Sequence, residues 1–109
     1  MRGTSFFASV LGICLFLSAG KAAAQKGDSA KGKEIFEQCG VCHNADSEEK
    51  KMGPGLKGLF KKDKMTNGKK PTEANVQEKV DEGGNGMPAY KEMLSGEEKA
   101  HLMAYLKTL

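Results

Sequence analysis

Apolar residues fall in two regimes along the chain. From Phe6 to Leu17 they crowd together (Phe6, Phe7, Val10, Leu11, Ile13, Leu15, Phe16, Leu17), with only small or weakly polar interruptions. Beyond residue 28 they are spaced out and interleaved with charge, and the spacing predicts three helices. The first begins at Asp28, a good N-cap, and runs through Ala30, Lys33, Glu34, Ile35 and Phe36 towards Cys39. The second starts at Thr72, just after Pro71, carries Ala74, Val76 and Val80, and stops at Gly83-Gly84. The third opens with Ser95 and Glu98 as a capping box and presents Ala100, Leu102, Met103, Tyr105 and Leu106 as an apolar stripe. No stretch of useful length alternates apolar and polar residues, and no internal repeat is present, so the expected class is all-α.

The leading apolar run reads as an export signal. Arg2 gives it a positive start, small residues follow, and Ala22-Ala23-Ala24 offers a cleavage site before Gln25. The expected organisation is therefore a cleaved secretory signal over residues 1–24 and one domain over residues 25–109. An uncleaved anchor is the alternative, because no charge stands between Arg2 and Lys21; that gap just reaches the ~18-residue lower limit for a spanning helix. Cys14 is preceded by Ile13, where lipid attachment wants a small residue, so Cys14 is an apolar residue of the signal and leaves with it.

Cleavage changes the composition. Of 17 basic side chains, Arg2 and Lys21 depart, leaving 15 against 14 acidic ones, so the precursor's basicity says little about nucleic acid. The remaining domain has four aromatics (Phe36, Phe60, Tyr90, Tyr105) and no Trp. A domain of roughly 85 residues with so thin a core needs a staple. Two cysteines, Cys39 and Cys42, remain, and a disulfide closing so short a loop would stabilise it weakly.

Cys39-Gly40-Val41-Cys42-His43 supplies another staple, since C-x-x-C-H is the attachment sequence for c-type haem. Two thiols three positions apart at a helix end reach the vinyl groups along one haem edge, and the adjacent imidazole swings under the iron. Other readings of the pair are a redox dithiol, which expects a strand–helix context, a structural disulfide of an exported protein, and a zinc site. Zinc wants four ligands, and beyond the thiols the mature chain has only His43 and His101. For the sixth iron position Met87 is the leading candidate. It lies between Gly86 and Pro88 in a glycine-rich loop, where the backbone approaches closely and Pro88 stiffens the setting. Met103 belongs to the stripe of the last helix, Met52, Met65 and Met93 sit among polar neighbours, and His101 reads as a surface residue.

Four segments in order carry a further resemblance: Gly32-Lys33-Glu34-Ile35-Phe36 before the C-x-x-C-H, Gly53-Pro54-Gly55-Leu56-Lys57-Gly58-Leu59-Phe60, Gly86-Met87-Pro88-Ala89-Tyr90, and Leu102-Met103-Ala104-Tyr105-Leu106. Along essentially its whole mature length the chain resembles class I monohaem cytochromes c. The resemblance implies three main helices and long loops wrapped around one covalently attached haem c. It implies His43 and Met87 as axial ligands, and Cys39 and Cys42 as thioether attachments. It implies that the Pro54 carbonyl orients His43, that the first and last helices cross near Gly32, Phe36 and Tyr105, and that Leu56, Leu59, Leu94, Leu102 and Leu106 line or support the haem pocket. Two features depart from the family: Phe36 stands three residues before Cys39 where many members have four, and no Trp is available for a propionate contact.

The function so implied is that of a single-electron carrier rather than an enzyme, because two axial side chains leave no iron position for substrate. The expected location is a bacterial periplasm, and the mature form is expected as a monomer without stable membrane insertion. Between Lys50 and Lys70 eight lysines (Lys50, Lys51, Lys57, Lys61, Lys62, Lys64, Lys69, Lys70) face a single acid, Asp63. That stretch is a solvated loop or a docking face for an acidic redox partner. Acidic residues spread over the rest of the chain argue against nucleic acid.

Overall fold

The computed structural model describes residues 27–109; the expected signal and its expected cleavage site lie outside them. Each of the three helices starts where a side chain satisfies its first free N–H groups. Helix α1 (Ser29–Phe36) is capped by Asp28, whose carboxylate accepts from the N–H of Ala30 at 2.8 Å and of Lys31 at 3.4 Å. Helix α2 (Glu73–Glu82) is capped by Thr72, whose hydroxyl accepts from the Asn75 N–H at 3.1 Å. Helix α3 (Gly96–Leu106) opens on the reciprocal Ser95–Glu98 box. A short 3-10 turn, Leu59–Lys61, interrupts the long connection between α1 and α2. Among the described residues there is no strand, only an isolated antiparallel bridge between Gly84 and Met87.

Helices this short are marginal alone and owe their stability to packing. Helix α1 lies directly on α3. At Gly32 an added Cβ would run into the carbonyl oxygen of His101 and come within 2.7 Å of the Tyr105 Cβ. One turn further on, the rings of Phe36 and Tyr105 meet with centroids 5.2 Å apart and planes at 53°, a tilted arrangement that aromatic pairs favour.

Helix α2 is joined to α3 differently. Asp81 pairs with Lys99 at 2.8 Å and Glu73 with Lys107 at 2.7 Å, so the two helices run antiparallel with an ion pair near each end. Val76 and Val80 on α2, Leu102, Met103 and Leu106 on α3, and Phe36, Leu59, Tyr90 and Leu94 make one buried core. Met103 is thus a core residue.

His101 differs from its expected surface placement. Its side chain is 12% exposed. Nδ1 accepts the Asp28 N–H at 2.8 Å, and Nε2 stands 3.6 Å from the Glu97 carboxylate. The histidine ties the start of α1 to α3, a contact between residues 73 positions apart that no local pattern announces.

Candidate functional site: one turn, one loop and one hairpin

Beyond Phe36 the chain keeps turning in the helical sense. The Phe36 carbonyl accepts from the N–H of Cys39 and Gly40, and the Cys39 carbonyl from the N–H of Cys42 and His43, all between 2.8 and 3.0 Å. This turn displays two separate thiols and an imidazole from a single rigid stretch anchored by α1. Burial, and then the neighbouring Cys42, push the Cys39 thiol above its ordinary pKa. Burial, and then the two cysteines, do the same to the phenol of Tyr90, a residue of the core.

The following loop folds back along the turn. Gly53 N–H donates to the Cys42 carbonyl at 2.8 Å and Leu56 N–H to the Asn44 carbonyl at 2.7 Å. Between these two bonds the Pro54 carbonyl comes 2.8 Å from His43 Nδ1. A carbonyl only accepts, so Nδ1 carries the proton and Nε2 holds the free lone pair, the tautomer a metal needs. Gly53 packs flat on the ring: a Cβ there would lie 2.5 Å from Cε1 and 2.8 Å from Nδ1. The imidazole is thus fixed in direction and in tautomer.

Met87 comes from the other side of the chain on a tight hairpin. Gly84 and Met87 exchange two backbone hydrogen bonds, at 2.9 and 3.1 Å, around Asn85 and Gly86 with φ of 53° and 89°. Those values define a type I′ turn, for which Asn-Gly is the preferred pair. The glycine-rich loop therefore has a defined geometry, and the Asn-Gly dipeptide was the signal for it. Cys39 and Met87 are half-buried and both pack on the same apolar core.

The other methionines separate by environment. Met52 and Met93 are 81% and 61% exposed. Met65, although flanked in sequence by polar residues, is half-buried and packs on the core, where a turn is closed by its bonds with Lys69 and Gly68.

These donors suit a haem better than a bare metal ion. Two soft thiols, a neutral imidazole with a free Nε2 and a thioether against an apolar core match covalent attachment plus axial ligation. Among the described residues no group of three or more His, Cys, Asp and Glu side chains converges on a point that could hold a metal ion.

Comparison with known proteins agrees with this chemistry. The Cytochrome c family model matches residues 29–109. The chain is 34% identical to cytochrome c-550 of Bacillus subtilis over 93 residues, covering 80% of this chain and 70% of that protein. It is 35% identical to cytochrome c6 of a Nostoc species over 98 residues, covering 89% and 85%. A shorter match to cytochrome c2 of Blastochloris viridis, 47% identical over 45 residues, spans 40% of this chain and 35% of that protein. The chain belongs to the cytochrome c family, as a small class I monohaem member that binds haem c and carries electrons.

Proposed function

We propose that this electron carrier holds its haem through thioether bonds from Cys39 and Cys42, with His43 and Met87 as axial ligands and Pro54 fixing His43. Haem c supplies an iron that cycles between ferric and ferrous states, one electron at a time. The observation that carries the reading is the His43 Nδ1–Pro54 carbonyl bond of 2.8 Å. It leaves Nε2 as the free donor and fixes the direction of the ring, as orienting partners of metal-bound histidines do. Met87 contributes a soft neutral donor from a hairpin whose turn geometry is set by Asn85 and Gly86. Two protein ligands close the iron to substrate, so the chain acts as a carrier and not as an enzyme.

Around this site, residues 1–24 direct export and are cleaved near Ala24, and the domain of residues 25–109 works in the periplasm as a monomer. No helix among the described residues is long and apolar enough to cross a membrane. The redox partner is an acidic protein surface that meets the lysines between Lys50 and Lys70. Of these, Lys69 is paired with Glu78, and Lys51 and Lys62 reach the carbonyls of Gly40 and Gly55. Lys50, Lys57, Lys61, Lys64 and Lys70 are exposed and make no salt bridge among the described residues, which leaves five cations for docking.

Visible spectra of the purified exported protein, oxidised and then reduced, test the site. Sharp reduced haem bands with the weak far-red band of methionine-ligated ferric iron are expected. Haem bands without the far-red feature would remove Met87 from the iron, and a colourless protein made alongside haem-attachment machinery would end the reading.

A further inference from the structure

The last turn of α2 and the hairpin that carries Met87 share one cation. Lys79 Nζ donates to the carbonyl of Gly83 at 3.0 Å and to that of Gly84 at 3.4 Å. The backbone carbonyl of Lys79 accepts from the Gly83 N–H at 2.8 Å, so the residue grips the same segment twice. The side chain is half-buried, and among the described residues its ammonium takes part in no salt bridge. Its charge lies at the C-terminal end of α2, where the helix dipole favours a cation. Gly84 then exchanges two backbone hydrogen bonds with Met87. A continuous hydrogen-bonded path therefore runs from the ammonium to the backbone that bears the thioether. The four residues from Gly83 to Gly86 all have positive φ, and three of them are glycine. Such a segment has little stiffness of its own and depends on what holds it.

Resting on the reading of Met87 as the sixth ligand, we propose that Lys79 is a positioning residue that keeps Met87 on the iron, in the ferric state above all. A thioether is soft and neutral and favours ferrous iron, so the ferric bond is the weaker one. It relies most on a loop already held in the binding geometry. Without the ammonium, the carbonyls of Gly83 and Gly84 turn to water, the hairpin loosens, and an external ligand displaces Met87 more readily.

The test titrates the ferric haem-containing protein with imidazole and follows loss of the far-red band. Wild type is compared with Lys79→Met, Lys79→Arg and Lys107→Met. Lys79→Met is expected to bind imidazole about tenfold more tightly, the scale of one charge-assisted hydrogen bond. Lys79→Arg restores the affinity towards wild type. Lys107→Met removes the ion pair with Glu73 at the opposite end of α2 and leaves the affinity unchanged, which separates a local hold from general weakening of the helix. Wild-type affinity in Lys79→Met overturns the proposal, as does an equal gain in Lys107→Met. Identical ferric spectra for wild type and Met87→Ala would instead sink the ligand assignment and this proposal together. A far-red band lost in Met87→Ala, with unchanged imidazole affinity in Lys79→Met, sinks the role of Lys79 alone.

Discussion

His43 and Pro54 are joined across eleven residues by a 2.8 Å hydrogen bond from the imidazole Nδ1–H to a backbone carbonyl. The acceptor is main chain, so no side-chain substitution deletes it, but crowding the ring displaces the donor. Gly53→Ala places a methyl 2.5 Å from Cε1. The ring must shift, the bond to Pro54 lengthens, and the imidazole becomes a poorer electron donor to ferric iron. Redox titration is expected to show a midpoint potential raised by tens of millivolts, where about 59 mV is tenfold for one electron. An unchanged potential would mean that Pro54 does not tune His43.

Met87 and Met65 are both half-buried against the core, Met87 on a two-residue hairpin and Met65 on a longer turn closed with Lys69. Met87→Ala is expected to abolish the far-red ferric band and lower the midpoint potential by more than about 100 mV, within the ~0.8 V range that axial ligands command. Met65→Ala leaves band and potential in place and costs about 2 kcal/mol or more of stability as a lost core contact. The reverse pattern would transfer the ligand role to Met65.

Gly32 has the carbonyl of His101 where a Cβ would go. Backbone cannot retreat as a flexible side chain can, so Gly32→Ala must push α1 away from α3. Denaturant unfolding of the haem-containing protein is expected to show a loss of about 2–4 kcal/mol. A loss under about 0.5 kcal/mol, the range of an ordinary surface change, would contradict the tight crossing.

The hydrogen bond from Lys99 chiefly, with help from Gln77, holds the carboxyl of Asp81 below its ordinary pKa of 3.8. A depressed folded-state value contributes stability that is present above the unfolded pKa and lost as pH falls through the folded one. Wild type is therefore expected to exceed Asp81→Asn in stability at neutral pH by up to about 1 kcal/mol. The gap should narrow below pH 3.8 and close at more acid pH. A gap that stays constant with pH would show that the pair does not stabilise the fold through charge.

Exposed lysines without carboxylate partners make electron transfer salt-sensitive if they meet the redox partner. The second-order rate with that partner is expected to fall steadily as ionic strength rises past about 0.1 M, where screening acts over about 10 Å. Lys61→Glu with Lys64→Glu should lower the rate at low salt and flatten its salt dependence. Rates indifferent to salt in wild type would place docking elsewhere.

Much of the fold was legible because its signals are local. Asp28, Thr72 and the Ser95–Glu98 box cap helices at the positions their sequence contexts indicate, since a cap needs nothing beyond three residues downstream. The close approach at Gly32 and the Phe36–Tyr105 contact were legible through family resemblance. The shorter Phe36–Cys39 spacing did not prevent the aromatic pairing: Phe36 still meets Tyr105, and turns hydrogen-bonded to the Phe36 carbonyl carry the chain on to His43. Contacts between distant residues were not legible. His101 looks like a surface histidine until α1 is docked on α3, and Lys79 looks like one more exposed cation until the hairpin folds back beneath it. The ion pairs of Asp81 and Glu73 likewise depend on the antiparallel register of two helices. The Asn85-Gly86 turn has a local signal too, since Asn-Gly is the preferred type I′ pair, although composition alone marks the segment only as a glycine-rich loop.

The docking of α1 on α3 also sets a timetable. These helices are separated by about sixty residues of chain, and a loop of that length must close before their contact rewards it. Helix α1 is too short to persist unaided, and it anchors the turn that bears Cys39, Cys42 and His43. Until α3 has docked, that turn belongs to an open and pliable segment. The order of elements along the chain thus leaves the turn of Cys39, Cys42 and His43 the last part of the site to gain its support, because the helix that holds α1 in place is the final one in the sequence.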